Sequence, residues 1–193
     1  MNKVTVFCGS STGTDDIYEK QAYLLGQTLA KRKIGLVYGG TNVGLMGVVA
    51  DGTLAGGGEV IGVLPLFLKD KGIAHENLTE LIFADNMHER KTKMNELSDG
   101  VIALPGGFGT MEEFFEMLTW GQLGLHRKPV ALLNVNGYFD SLKAFVQTMV
   151  DRGFLKKENQ EMLIISSSID DLLEQMKNYI PPAVGKWFLG DKV

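Results

Sequence analysis

Chemistry concentrates in Pro105-Gly106-Gly107-Phe108-Gly109-Thr110-Met111-Glu112-Glu113, where three glycines, a threonine and two carboxylates open a helical stretch straight after an apolar run. N–H groups at a helix start have no intrahelical acceptor, glycines let an anion approach the backbone, and a hydroxyl adds a donor. Together they make a cradle for one phosphate that needs no metal. The same residues also spell an ordinary helix start, with Thr110 as N-cap and Glu113 completing a capping box. Helical geometry separates the carboxylates. At about 100° per residue Glu113 shares a stripe with Met117 and Trp120, an apolar face, while Glu112 and Glu116 turn further toward solvent. Upstream, in Met87-His88-Glu89-Arg90-Lys91-Thr92-Lys93-Met94-Asn95-Glu96-Leu97, Arg90 falls inside the arc defined by Met87, Met94 and Leu97. An arginine and a glutamate are thus both aimed inward, where charges persist only when paired or facing a polar ligand. Arg90 and Glu113 are expected partners around a cleft, the alternative being an ion pair with a structural role only.

Two familiar nucleotide signatures lack their working residues. Gly39-Gly40-Thr41-Asn42-Val43-Gly44 has the outer glycine spacing of a P-loop, but Leu45-Met46 stands where Lys and Ser/Thr must reach phosphate and magnesium. Cys8-Gly9-Ser10-Ser11 follows the first apolar run in place of Gly-x-Gly-x-x-Gly, which removes the warrant for a dinucleotide and hence for NAD. No cofactor and no metal are expected. His75 and His126 fall in loops with no visible ligand partners, and His88 points away from Arg90 around its helix. Cys8 ends a buried strand, where packing rather than nucleophilic attack is its expected job.

The elements that must position these residues follow from the pattern. Val4–Cys8, Ile34–Tyr38, Val60–Leu64, Val101–Leu104 and Val130–Leu133 are short, nearly all-apolar runs that stop at Gly, Pro or Asn, as strands covered on both faces do. Leu78–Phe83 and Leu163–Ile165 bring the series to about seven, and helical periodicity fills 15–32, 44–56, 86–98, 109–124, 138–152 and 168–180. The expectation is an α/β, Rossmann-like doubly wound fold. It has a mostly parallel sheet of about seven strands with helices on both faces, in a single domain spanning 1–193. Glycine is abundant, 24 residues against 5 prolines, and clusters after strand ends, the edge at which open α/β sheets bind ligands. The tail from Pro181, with Trp187 and Phe188, either packs on a neighbour or frays. Lys+Arg 19 against Asp+Glu 23 leave a charge of -4 with no block of like sign, so neither nucleic acid nor a membrane surface is an expected partner. A lone cysteine excludes an internal disulfide and suits a reducing compartment, and no signal or spanning segment is visible, so a cytoplasmic location is expected.

Pro105-Gly-Gly-x-Gly-Thr-x-x-Glu113, preceded by Met87-His-x-Arg90-Lys91 and Gly39-Gly40-x-x-x-Gly44-Leu-Met-Gly47 and followed by Leu132-Leu133-Asn134-Val135-Asn136-Gly137-Tyr138-Phe139, resembles the Lonely Guy family of cytokinin-activating phosphoribohydrolases. The resemblance covers nearly the whole chain. It implies hydrolysis of the N-glycosidic bond of a purine nucleoside 5′-monophosphate, an N6-substituted AMP or AMP itself, to free base and ribose 5-phosphate. An older label for such chains, possible lysine decarboxylase, finds no Ser-x-His-Lys pyridoxal site here. By position, the family's catalytic pair falls on Arg90 and Glu113. Its ligand contacts fall on Arg90, Lys91, Gly106, Gly107, Phe108, Gly109, Thr110, Met111, Glu112, Glu113 and Thr119, with Gly40 and Ser10 on the neighbouring strand ends as further candidates. Thr119 lies about 120° from Glu113 on the helical wheel. One departure stands out: many relatives have a glutamate eighteen positions before the catalytic arginine where this chain has Gly72, with Glu76 the nearest substitute.

Cleavage of a ribosyl bond builds positive charge at C1′, which a carboxylate stabilises. The expected roles are therefore Glu113 on that charge and on water, Arg90 on Glu113 and on the nucleotide or departing base, and Gly106 to Thr110 on the 5′-phosphate. The resemblance also implies a homodimer with the cleft close to its interface, for which Phe114, Phe115, Trp120 and the Met-rich helix are candidate surface if they are not core. The rival readings are a non-catalytic nucleotide or molybdenum-cofactor carrier, and a transferase that passes the ribosyl group to another acceptor.

Overall fold

The structure, a computed structural model, describes residues 1–182. Its centre is a seven-stranded sheet in the order β4-β3-β2-β1-β5-β6-β7, built from β1 (Lys3–Phe7), β2 (Gly35–Tyr38), β3 (Val60–Pro65), β4 (Glu80–Ala84), β5 (Gly100–Ala103), β6 (Val130–Leu133) and β7 (Leu163–Ser166). Every pairing is parallel. The chain works outward from β1 to β4, returns to the other side of β1, and works outward again to β7. The order therefore reverses between β1 and β5, and a crevice opens above their carboxyl ends.

Helices cover both faces. Alternation along the strands assigns the packing: Val4, Val6, Leu36, Tyr38, Ile102 and Leu104 face α1 (Asp16–Lys31), α2 (Gly44–Ala55) and α7 (Ile169–Lys177). Phe7, Val37, Val63, Val101 and Ala103 face α3 (Met87–Glu96) and α4 (Phe108–Gln122), and Phe139, just ahead of α5 (Asp140–Asp151), joins them. Strands buried on both sides carry no polar alternation, which is why their runs read as continuously apolar. Three elements escaped the pattern, α6 (Lys157–Gln160) and 3-10 turns at Leu66–Lys71 and Val135–Gly137. Each is too short to show a period. Phe114 is fully buried in the core, so it offers no surface to a second copy. The expectation for Trp187 and Phe188 lies outside the described residues. Among the described residues, no helix is long and apolar enough to cross a membrane.

Candidate active site

The site is assembled at the reversal point. Gly9 N–H donates to the Pro105 carbonyl at 3.0 Å, tying the loop after β1 to the loop after β5. Helix α4 then starts at Phe108 with Gly107 as its N-cap residue, and no side chain caps it. This corrects the expected role of Thr110: it is the third helical residue and does not cap. It is buried against Gly106, at which any Cβ would collide with the Thr110 side chain and with Gly9 N. The capping box also fails, because Glu113 turns to a different partner. What remains is a helix end whose N–H groups at Phe108, Gly109 and Thr110 have no intrahelical acceptor. A Cβ added at Gly107 or Gly109 would meet nothing within 4 Å, so protein packing is not what keeps these positions free of side chains. Phe108 stands between them, 97% exposed.

Helix α3 supplies the second half. Its N-cap Asn86 accepts from Glu89 N–H at 3.0 Å, and one turn in, Arg90 points at the sheet. The guanidinium donates through Nε to the Val63 carbonyl at 3.0 Å and through Nη1 to Glu113 Oε1 at 2.5 Å. Only 9% of the Arg90 side chain and 11% of the Glu113 side chain are exposed. Room for this comes from the end of β2, where a Cβ on Gly39 would lie 2.5 Å from Arg90 Nη2 and 2.8 Å from Met46 Sδ. Burial pushes the Glu113 carboxyl above the usual carboxylate range, with Arg90's charge and hydrogen bond pulling back. Burial, reinforced by the charge on Glu113, likewise pushes the Cys8 thiol far up, so it stays protonated and packs rather than attacks.

A family model described as possible lysine decarboxylase matches residues 46–176. Cytokinin riboside 5′-monophosphate phosphoribohydrolase LOG7 of Arabidopsis thaliana is 44% identical over 179 residues, which make up 93% of this chain and 82% of that protein. LOG5 of the same plant, of the same description, is 42% identical over 196 residues, 99% and 86% of the two chains. The chain belongs to the Lonely Guy family. Among solved structures, the molybdenum cofactor binding protein from the phototrophic bacterium Rippkaea orientalis superposes with a TM-score of 0.70 at 26% identity, over 91% of this chain and 95% of its own. The molybdenum cofactor carrier protein of Chlamydomonas reinhardtii gives 0.67 at 21%, over 91% and 96%, a likeness of fold alone.

In this Lonely Guy chain the other candidate residues separate. Lys91 is buried, and its Nζ is committed to Glu112 at 2.5 Å and Glu116 at 2.8 Å. Burial alone would pull the Lys91 ammonium down, but the two carboxylates outweigh it and hold its pKa above the ordinary lysine value. Glu112 does face solvent as expected, whereas the Glu116 side chain keeps only 20% exposure. Met111 packs partly against the core. Ser10 is exposed on the wall of a cavity of about 330 Å³, shared with Ser11, Thr12, Gly106, Gly107 and Tyr138. Gly40 is buried in packing against Leu64 and Leu81, and its carbonyl accepts from His75 N–H at 3.0 Å. Thr119 is not brought to the Arg90–Glu113 pair: its hydroxyl donates to the Phe115 carbonyl, and it lines a separate groove of about 200 Å³ with Leu118, Val146 and Met162.

The loop histidines are held by hydrogen bonds. His75 is buried with Nε2 3.1 Å from Asp51 Oδ1 and Nδ1 accepting from Asn77 N–H, and among the described residues no group of three potential metal ligands gathers around it. His126 lies against the Met117 carbonyl at 2.8 Å, and burial lowers its pKa. His88 is exposed on α3. Gly72 ends the 3-10 turn at φ +66, a left-handed conformation that disfavours a side chain, while Glu76 is exposed nearby. Sequence reasoning missed Tyr138, whose hydroxyl donates to the Gly106 carbonyl at 2.7 Å. Its signals were the turn-forming Asn134-Val135-Asn136-Gly137 before it and its place in the Leu132–Phe139 segment of the family resemblance.

Proposed function

We propose that this chain hydrolyses the N-glycosidic bond of a purine nucleoside 5′-monophosphate, a cytokinin riboside 5′-monophosphate or AMP, giving free base and ribose 5-phosphate. The observation that carries the reading is the buried Arg90–Glu113 pair set beside an uncapped helix end whose glycines leave open space. Relatives 42–44% identical that bear the phosphoribohydrolase name support it.

In this reading the 5′-phosphate sits on the N–H groups of Gly107, Phe108, Gly109 and Thr110, where the helix dipole and unpaired donors favour an anion. Binding energy from that remote group positions the sugar. As the C1′–N bond breaks, its electron pair leaves with the base and positive charge grows at C1′. The Glu113 carboxylate stabilises that charge and orients the water whose oxygen bonds to C1′ and whose proton ends on the base. Arg90, held by the Val63 carbonyl, fixes Glu113 and stabilises the departing base. A homodimer working in the cytoplasm completes the proposal.

Incubation with AMP and with an N6-prenyl AMP, followed by product separation, tests it. Free base is expected from at least one nucleotide, with kcat reduced at least about a hundredfold in Glu113→Gln, the scale of losing one transition-state contact. Tight binding of both nucleotides with no base released would instead make the chain a carrier, and base exchange with an added second base would make it a transferase.

A further inference from the structure

We infer that Tyr138 is a positioning residue of the phosphate cradle, holding the Gly106–Gly107 peptide so that it meets the anion with its N–H and not its carbonyl. The inference rests on the phosphate-binding reading above. Three consecutive carbonyls in the turn before α4 are each tied to a donor. The Pro105 carbonyl accepts from Gly9 N–H at 3.0 Å and the Gly107 carbonyl from Met111 N–H at 3.1 Å. Between them, the Gly106 carbonyl accepts from the Tyr138 hydroxyl at 2.7 Å. In a trans peptide the C=O and N–H point in opposite directions, and no peptide here is cis, so each tether on a carbonyl also aims the N–H of the next residue. The middle peptide is the one at risk, because glycine flanks it on both sides and rotates most freely. It is also the only one of the three whose tether comes from a side chain, from 32 residues away.

The turn that delivers Tyr138 is built at a cost. Asn136 (φ 51) and Gly137 (φ 71) are consecutive left-handed residues, and Asn136 is one of only two non-glycine residues with positive φ among those described. Such backbone persists where its surroundings over-determine it. Here Asn134 does so, accepting from Phe139 N–H at 2.7 Å and donating to Asp140 at 2.8 Å. The Tyr138 ring is then wedged edge-on between Tyr18 and Phe139, at centroid distances of 5.9 and 4.9 Å. Its hydroxyl stays at the wall of the 330 Å³ cavity beside the cradle, where water would satisfy it equally well. Fold stability therefore does not require the bond to Gly106.

Calorimetric titration of wild type and Tyr138→Phe with ribose 5-phosphate and with adenosine tests this, alongside steady-state kinetics on whichever nucleotide is cleaved. Phenylalanine keeps the ring packing, so the melting temperature should stay within about 2 °C. The expected result is ribose 5-phosphate bound roughly five- to tenfold more weakly, the worth of one hydrogen bond, with adenosine unchanged. KM for the nucleotide should rise by the same factor, and kcat should stay within about twofold. Gly137→Ala, whose Cβ would press on Asp140 and displace the turn, should reproduce that split with the hydroxyl still present. Equal ribose 5-phosphate affinity in wild type and Tyr138→Phe would overturn the role of Tyr138 alone, as would parallel weakening of adenosine. Failure of wild type to bind ribose 5-phosphate would overturn the cradle itself, and this inference with it.

Discussion

Glu113 sits where its surroundings resist a charge, and two cations oppose that resistance. Burial raises its pKa while Arg90, and more weakly Lys91, pull it back, with Glu112 opposing them. If the ionised form is the working one, the acid limb of kcat/KM lies above the ordinary glutamate value of about 4.3. Lys91→Met removes one pull, so a pH–rate profile should show the limb moved to higher pH. The stability sign follows from the same shift. A carboxyl whose pKa is higher folded than unfolded holds its proton better in the native state, so stability is lost as pH rises from the ordinary value through the raised one. Melting curves of wild type against Glu113→Gln should show that slope only in wild type. Truncation to Glu113→Ala would strand the Arg90 charge in the interior, at a cost of about 3–5 kcal/mol in denaturant unfolding. At this scale the sequence was most informative where one helix face decides a residue's direction, as for Arg90 and Glu113. It failed for Thr110, because a capping role there needs a helix that begins at Met111, whereas α4 begins earlier, at Phe108 with Gly107 as its N-cap. Lys91 was missed as a buried residue because a helical wheel shows which side is inward but not that two carboxylates of another helix wait there.

Among the elements, α1 and α2 approach each other closely. A Cβ on Gly26 would stand 2.7 Å from Thr53 N, and one on Gly52 would press on the Tyr23 backbone, so the two helices meet nearly backbone to backbone. Alanine at Gly26 must push them apart. A loss of about 1–3 kcal/mol in chemical denaturation is expected, with catalytic constants unmoved because neither helix carries Arg90 or Glu113. The central strands were legible because both their faces are buried, leaving mainly apolar residues between turns. Helix α6 and the Leu66–Lys71 turn were not legible, since so short a turn has no period and is fixed by its neighbours.

For the whole molecule, the reversal of strand order between β1 and β5 gathers residues from distant parts of the chain. Gly9, Gly39, Arg90, Gly106 and Glu113 come within reach of one another because their strands end on the same edge. That convergence was foreseeable from glycines after strand ends, but the contacts it creates were not, because Gly39 and Arg90 are far apart in sequence and meet only once β2 and α3 are in place.

Gly107 and Gly109 border open space, and this sets durability against function. Gly109 lies inside α4 without a left-handed backbone, where alanine would favour the helix by up to about 1 kcal/mol. Gly109→Ala should therefore raise the melting temperature while its methyl group crowds the anion and raises KM. A screen that rewards sturdiness alone would enrich this substitution and silently discard the substrate.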